Sequence, residues 1–336
     1  MKKIIFLFIS LFFLGGCGQY NEINKLAFID GIGIEKQDDT YHLYLAVVKE
    51  EKQETETTKK HTIYHVTGQS LEEAFQKGEM LHNKRAYYHH LTLMLLHSSL
   101  LENNQYQKLF PFLKDKLQQG DYLLLETPSP LSSILKQYQD PTDLKEFIRR
   151  EQKESGTTTL LTFDDINAHD YDPEYSASIP SVILEDNTLK TNGMFLLGKD
   201  LTYNHSFSKI SYLLSNQITE YYQTISLDQQ SYFIHLLHLN CHISWKENTF
   251  SITITGSLES DELPKEKEKE AKKKIEEILE EEIKTFVQKE QTENVSTTPL
   301  KNILYLKLGE KQNLDEIYQT SKLDLKLSLS FQGGQS

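Results

Sequence analysis

Residues 26–48 read LAFIDGIGIEKQDDTYHLYLAVV, and this stretch decides how the fold begins. Leu26–Ile34 is an apolar strand pattern with a glycine-softened centre, Gly31-Ile32-Gly33. Gln37-Asp38-Asp39-Thr40 is turn chemistry, and Tyr41–Val48 alternates as a second strand, so the pair predicts a β-hairpin. Working outward, Glu50–Lys60 is charged and threonine-rich and is expected to be a loop, and His61–Val66 is a third strand ended by Gly68. Ser70 with Glu73 three residues later forms a capping box before a helix through about His82. Leu91–Leu96 is a short continuous apolar run, the mark of a buried strand. A helix over Tyr106–Lys116, a strand over Asp121–Glu126 and a short helix from Pro128 to Tyr138 follow. Strand and helix thus alternate from about residue 61, which favours a mixed α/β unit.

Further along, Leu144–Gln152 reads as a helix, followed by a looser Gly/Thr stretch. Ile179–Leu184, Gly193–Leu197 and Leu201–Tyr203 suggest a small sheet of their own. Ile210, Leu213, Leu214, Ile218 and Tyr221 fall at helical spacing, and Ser231–Trp245 and Thr249–Leu258 read as paired strands around Lys246-Glu247-Asn248. Residues 265–291 form the clearest helix. Ala271, Ile275, Ile278, Leu279, Ile283, Phe286 and Val287 make one stripe on a Lys/Glu background, too short for a coiled coil and suited to packing on a sheet. Leu323–Phe331 alternates almost perfectly and closes the chain as a strand. The expectation is an α+β protein of three mixed α/β domains, each a mainly antiparallel sheet with packed helices, over residues 17–139, 140–205 and 206–336.

Residues 1–16 are of a different kind. Lys2 and Lys3 precede an apolar run, Ile4–Leu14, which is signal-peptide length and too short for a bilayer-spanning helix of about 20 residues. The run ends in Leu14-Gly15-Gly16-Cys17, which resembles the lipobox of bacterial lipoproteins. That resemblance implies cleavage before Cys17, a diacylglyceryl group on its thiol, further acylation (palmitate among the expected chains) and attachment to the outer face of a membrane. Two or three chains hold lastingly where one gives only marginal binding. Cleavage removes two of 36 basic residues and none of the 49 acidic ones, leaving a formal charge of −15. Such acidity argues against nucleic acid as a partner. Cys241 is then the one thiol left unmodified, so no intramolecular disulfide is expected.

The search for chemistry yields no enzyme. His235, His238, Cys241 and His242 are metal-capable types, but in an alternating strand His235 and Cys241 share one face while His238 and His242 take the other, about 13 Å apart. His89-His90 precedes a buried strand, with one ring expected to pack and the other to be solvated. Gly31-Ile32-Gly33 lacks the rest of a dinucleotide fingerprint, and no phosphate loop or nucleophile elbow occurs. Asp164-Asp165 and Asp170–Asp172 read as solvated acids. No catalytic residue, cofactor or metal ligand is assigned; Cys17, as the lipid attachment point, is the one site residue.

Several segments in series resemble the Ger(x)C family, the lipoprotein C-subunits of spore germinant receptors. They are Cys17 with Glu22–Ala27 and Gly31–Lys36; Gly68–Ala74 leading to Lys84-Arg85-Ala86-Tyr87-Tyr88-His89-His90-Leu91; Gly193-Met194-Phe195; and the Lys/Glu helix with the terminal strand and Gly333. The family's tryptophan near the mature N-terminus is replaced by Gln19-Tyr20. The resemblance implies three mixed α/β domains on the outer face of the spore inner membrane, in complex with integral-membrane A and B subunits. It also implies a non-enzymatic part in nutrient-triggered germination, with faces near Tyr87-Tyr88 as candidate contacts. The alternative is a substrate-binding lipoprotein of a membrane transporter, for which two lobes of parallel βαβ repeats around a cleft are expected.

Overall fold

A computed structural model describes residues 25–52, 57–81, 83–170, 176–199, 201–309 and 312–332; Cys17, His82, Gly333 and the signal segment lie outside them. The strands are β1 (Leu26–Gln37), β2 (Thr40–Lys52), β3 (Thr57–Gly68), β4 (Met80–Leu81), β5 (Lys84–Tyr87), β6 (Leu93–His97), β7 (Leu123–Thr127), β8 (Ser178–Glu185), β9 (Thr188–Leu196), β10 (Leu201–Tyr203), β11 (Tyr221–Leu227), β12 (Gln230–Lys246), β13 (Thr249–Glu259) and β14 (Lys322–Phe331). The helices are α1 (Leu71–Gly78), α2 (Tyr106–Leu117), α3 (Leu131–Gln137), α4 (Pro141–Glu154), α5 (Phe163–Asp170), α6 (His205–Leu214), α7 (Glu268–Glu293), α8 (Leu300–Leu308) and α9 (Leu314–Thr320). No described helix is long and apolar enough to cross a membrane.

The described strands fall into two sheets, and the class is α+β. The first sheet runs β10-β9-β8-β7-β6-β1-β2-β3, with β5 added to β1 and β4 to β5. Its centre, β1-β6-β7-β8, is parallel and its flanks, β1-β2-β3 and β8-β9-β10, are antiparallel. Parallel strands need cover on both faces, and the residue types supply it. Leu93, Leu95, Leu123 and Leu125 meet Leu131, Ile134 and Leu135 of α3 and Leu144 and Ile148 of α4. Met94, Leu96 and Leu124 face the other way, into the core that holds Phe75 of α1 and Leu109, Phe110 and Leu113 of α2. The apolar run at 93–96 is therefore a strand buried on two sides. The strands of residues 178–203 do not stand apart: β8 joins β7 through Glu126 and Ser181, so they extend the first sheet.

The second sheet, β11-β12-β13-β14, is antiparallel except for a parallel β13–β14 pair. One face carries α7, whose Ala271, Ile275, Leu279, Ile283, Phe286 and Val287 are buried, and α6 sits in the same continuous core between the two sheets. The stripe predicted for residues 265–291 thus packs on a sheet. At its C-terminal end the buried Glu290 ties three elements together. It accepts bonds from the Thr297 amide and hydroxyl, from Thr298 Oγ1 (3.1 Å) and from Tyr318 Oη (3.2 Å) of α9.

Four local expectations are corrected. Glu50–Lys60 is mostly strand: β2 and β3 stay paired from Lys49–Lys60 out to Lys52–Thr57, because threonines suit a half-exposed ladder and adjoining backbone groups need partners. The helix expected to reach Tyr221 stops at Leu214. Asn216 (φ 55°) turns the chain and bonds both Cys241 N and O, freeing Tyr221 to open β11. In β12 the register slips between Leu237 and Asn240, with His238 at φ 51°. The slip reverses the alternation: Cys241 turns into the core, and His235 faces outward against Tyr222, ring centroids 4.1 Å apart. His235 and Cys241 are therefore on opposite faces. Finally, the looser stretch expected after Gln152 ends in helix α5; Asp164 and Asp165 in its first turn are exposed, as expected of solvated acids, and Asp165 caps it by accepting from Thr162 N (2.9 Å).

Candidate functional site

The N-terminal end of β1 is bordered by a short basic strand. β5 runs parallel to β1 with Leu26 beside Arg85, Ala27 beside Ala86 and Phe28 beside Tyr87, and β4 turns into β5 through Asn83 (φ 63°). Lys84 and Arg85 are exposed. Tyr87 and Tyr88, adjacent in an extended strand end, face opposite ways. Tyr87 meets Phe28 edge-on at 5.6 Å, and His90 packs at 5.5 Å from Phe28 and 5.8 Å from Tyr87. Tyr88 turns inward, 6.1 Å from Phe75, where burial and then the nearby Glu79 raise its phenol well above the usual range. Of the two tyrosines, one is a surface residue and the other is core.

His89 and His90 are both exposed, and where one buried ring was expected, the His90 ring lies at the surface against Phe28 and Tyr87. β5 ends at Tyr87, so 89–90 form a turn in which strand alternation does not apply. The result is an exposed edge on which Tyr87 and His90 lie against Phe28, His89 lies against Tyr87, and Lys84 and Arg85 precede them along β5, on a chain of formal charge −13. Long cationic stems and aromatic bodies with polar tips are the side chains that sit at the boundary of apolar and aqueous phases. Cys17, outside the described residues, is eight residue steps before Lys25, a reach of at most about 28 Å.

The remaining sequence candidates resolve differently. Gly31-Ile32-Gly33 is a close-packing site: a Cβ at Gly31 would lie 2.5 Å from Pro141 Cγ of α4, and one at Gly33 3.1 Å from Leu135 Cδ1 of α3. The family-like Gly193 has φ 78°, and a Cβ there would strike the Tyr203 carbonyl at 1.8 Å. Cys241 is buried, which pushes its thiol up to about 12 and leaves it inert at neutral pH.

Three buried carboxylates are used structurally. Glu35 accepts from Tyr44 Oη (2.8 Å) and from Leu131 N (3.1 Å), holding the first turn of α3 against β1. Glu126 bonds the Ser98 hydroxyl, and burial pushes its carboxyl up to about 7. Burial does the same to Glu290, also to about 7. Ser98 is paired to a carboxylate with no imidazole joined to it, so this pair lacks the base of a nucleophile–base arrangement. A cavity of about 520 Å³ is an open polar groove with Lys36, Tyr41, Glu72, Asn104 and Lys108 on its walls. It sits beside the β1–β2 turn and not between two lobes.

Sequence reasoning had pointed to Lys84–Leu91 and to Tyr87-Tyr88. It had not found Asp30, His61 and Asp140, which lie far apart in sequence and converge in space. No short motif marks them.

Comparison with known proteins gives the architecture relatives. Residues 19–184 match the family model described as the spore germination protein N-terminal domain, a span holding the basic edge and the parallel centre of the first sheet. Among solved structures, the chain is similar to the one described as "Crystal Structure of the GerBC protein", with 16% identity, a TM-score of 0.58, and 90% of this chain and 96% of that one covered. That likeness extends the shared fold through both sheets. No curated protein matches the chain. From the domain at residues 19–184, borne on this two-sheet α+β body, the chain belongs to the Ger(x)C family of spore germination proteins.

Proposed function

We propose that this chain is the non-enzymatic C-subunit of a nutrient germinant receptor, held by lipid on Cys17 to the outer face of the spore inner membrane beside integral-membrane A and B subunits. The observation that carries the reading is the germination-protein domain over residues 19–184. The basic, aromatic edge supports the orientation. It borders the strand into which the tether runs, and with at most about 28 Å of chain between Cys17 and Lys25 this edge is the part of the body that would turn cations and amphipathic rings to the membrane. The acidic remainder then faces away from anionic headgroups. The structural use of the buried Glu35, Glu126 and Glu290 fits a role in binding and positioning.

The test is dipicolinate release from spores carrying Cys17→Ala, challenged with nutrients and separately with calcium dipicolinate. Loss of the nutrient response alone, with the protein made but no longer in the membrane fraction, is the expected outcome. A full response to every nutrient from spores that lack membrane-bound protein would refute the reading.

A further inference from the structure

On the far side of β1 from the basic edge, Asp30, His61 and Asp140 come together from three elements. Asp30 sits in the β1 bulge between Ile29 and Gly31, His61 lies on β3 opposite Val48, and Asp140 is the N-cap of α4. The His61 side chain is 3% exposed, that of Asp30 16% and that of Asp140 37%. One oxygen of each carboxylate and a ring nitrogen lie within 4.8 Å of one another.

The hydrogen bonding around the ring is incomplete. His61 Nε2 is 3.0 Å from Asp30 Oδ2, a good donor–acceptor pair. Nδ1 is buried without a hydrogen-bond partner and points toward Asp140 Oδ2, 3.4 Å away. The other oxygen of Asp140, Oδ1, accepts the Thr142 amide at 2.8 Å and caps α4, so Oδ2 is turned to the imidazole. A neutral imidazole has one N–H. With that proton on Nε2, the Nδ1 lone pair faces a carboxylate oxygen, and the contact is favourable only if a positive charge lies between them.

The distance suits a metal ion. Two donors bound to one tetrahedral zinc at about 2.0–2.1 Å stand about 3.4 Å apart. The Nδ1–Oδ2 separation has that bite while failing as a hydrogen bond. The partner on the other nitrogen completes a known pattern: a metal-bound histidine donates its second N–H to a carboxylate, which fixes the tautomer and the ring. An open cavity of about 380 Å³ lined by His61, Asp140, Asp143, Gln137, Lys60 and Lys136 adjoins the pair, leaving room for water to complete the shell.

We propose that His61 Nδ1 and Asp140 Oδ2 chelate a divalent cation of the zinc class, with Asp30 as the carboxylate that orients the ring. The ion would clip the β2–β3 hairpin to the start of α4. It would also join the bulge of β1 to the helix pair covering the parallel strands.

The experiment is calorimetric titration of zinc chloride into the full chain, purified in detergent and stripped with chelator, with cobalt(II) absorption as a second readout. The expected result is one ion per chain with micromolar or tighter affinity, and a Tm raised by a few degrees at saturating zinc. Asp140→Asn retains the helix cap, since Asn caps as well as Asp; it should weaken binding at least tenfold while leaving the circular dichroism unchanged. His61→Asn should abolish binding. His42 and His65, whose ring nitrogens lie 3.0 Å apart, are the competing pair. Zinc binding that survives Asp140→Asn and His61→Asn but is lost in His65→Asn overturns the proposal. So does the absence of binding by the unsubstituted chain up to millimolar zinc, which would assign the charge between His61 and Asp140 to a proton.

Discussion

Glu126 shows how much one residue can decide. It stands at the Glu126–Ser181 contact that joins β7 to β8 in the parallel centre of the first sheet, and burial is the main reason its carboxyl is pushed up to about 7, with the Ser181 and Ser98 hydroxyls pulling the other way. The folded state therefore holds a proton more tightly than the unfolded chain. The stabilisation this gives is fully present below the unfolded value near 4.5 and is lost as pH rises through about 7. Glu126→Gln removes the titration but keeps the size. Urea midpoints measured from about pH 5 to about pH 8 should show the variant gaining on the natural chain across that window, by about 1–3 kcal/mol. Parallel curves for the two proteins would mean that Glu126 is ionised throughout and that its serine partners outweigh its burial. Glu290 has the same sign, and it remains in both proteins, so the comparison isolates Glu126.

At the scale of elements, close approach explains what periodicity left blank. The Gly31-Ile32-Gly33 centre of β1 exists because α3 and α4 lie directly on it. Gly31→Ala would put a methyl 2.5 Å from the ring of Pro141, which opens α4 and cannot rotate aside. The variant should lose about 1–3 kcal/mol, read as a lowered Tm. Gly33→Ala should cost less, because its neighbours at 3.1–3.2 Å are leucine methyls that can shift. Equal losses at the two sites would point to backbone conformation and not to helix docking. Elements with a clear apolar pattern were legible in sequence: the β1–β2 hairpin, the short continuous run at 93–96 and the one-sided stripe of α7. The short helices α5, α8 and α9 were not, since seven to nine residues give barely two turns of pattern and are fixed by caps and tertiary cover. The His238 bulge was invisible for a different reason. A single left-handed residue inverts every later side chain of β12 without altering the apolar alternation on either side of it. The Asp30–His61–Asp140 cluster shares that opacity, for it is made by the bulge in β1, the register of β3 and the cap of α4 at once.

For the whole molecule the question is orientation. An acidic body tethered by a short segment is repelled by anionic headgroups unless the face nearest the tether carries the opposite sign. Arg85, exposed beside Leu26, and Lys84, exposed just before it at the start of β5, supply that sign next to the strand that the tether enters. Reversing both to Glu, with Cys17 intact, should leave the protein in the membrane fraction if, as proposed, acyl chains on Cys17 dominate attachment. It should nevertheless slow dipicolinate release in response to nutrients several-fold, with the response to calcium dipicolinate unchanged. The same change of charge made at Lys273 and Lys284, exposed on the outer face of α7, should have little effect, since that helix belongs to the second sheet and its lysines pair with neighbouring glutamates. If both double variants slow release equally, net charge and not the edge is responsible. If neither does, the body docks through another surface, and the exposed Tyr222 and Phe233 on the open face of the second sheet become the next residues to change.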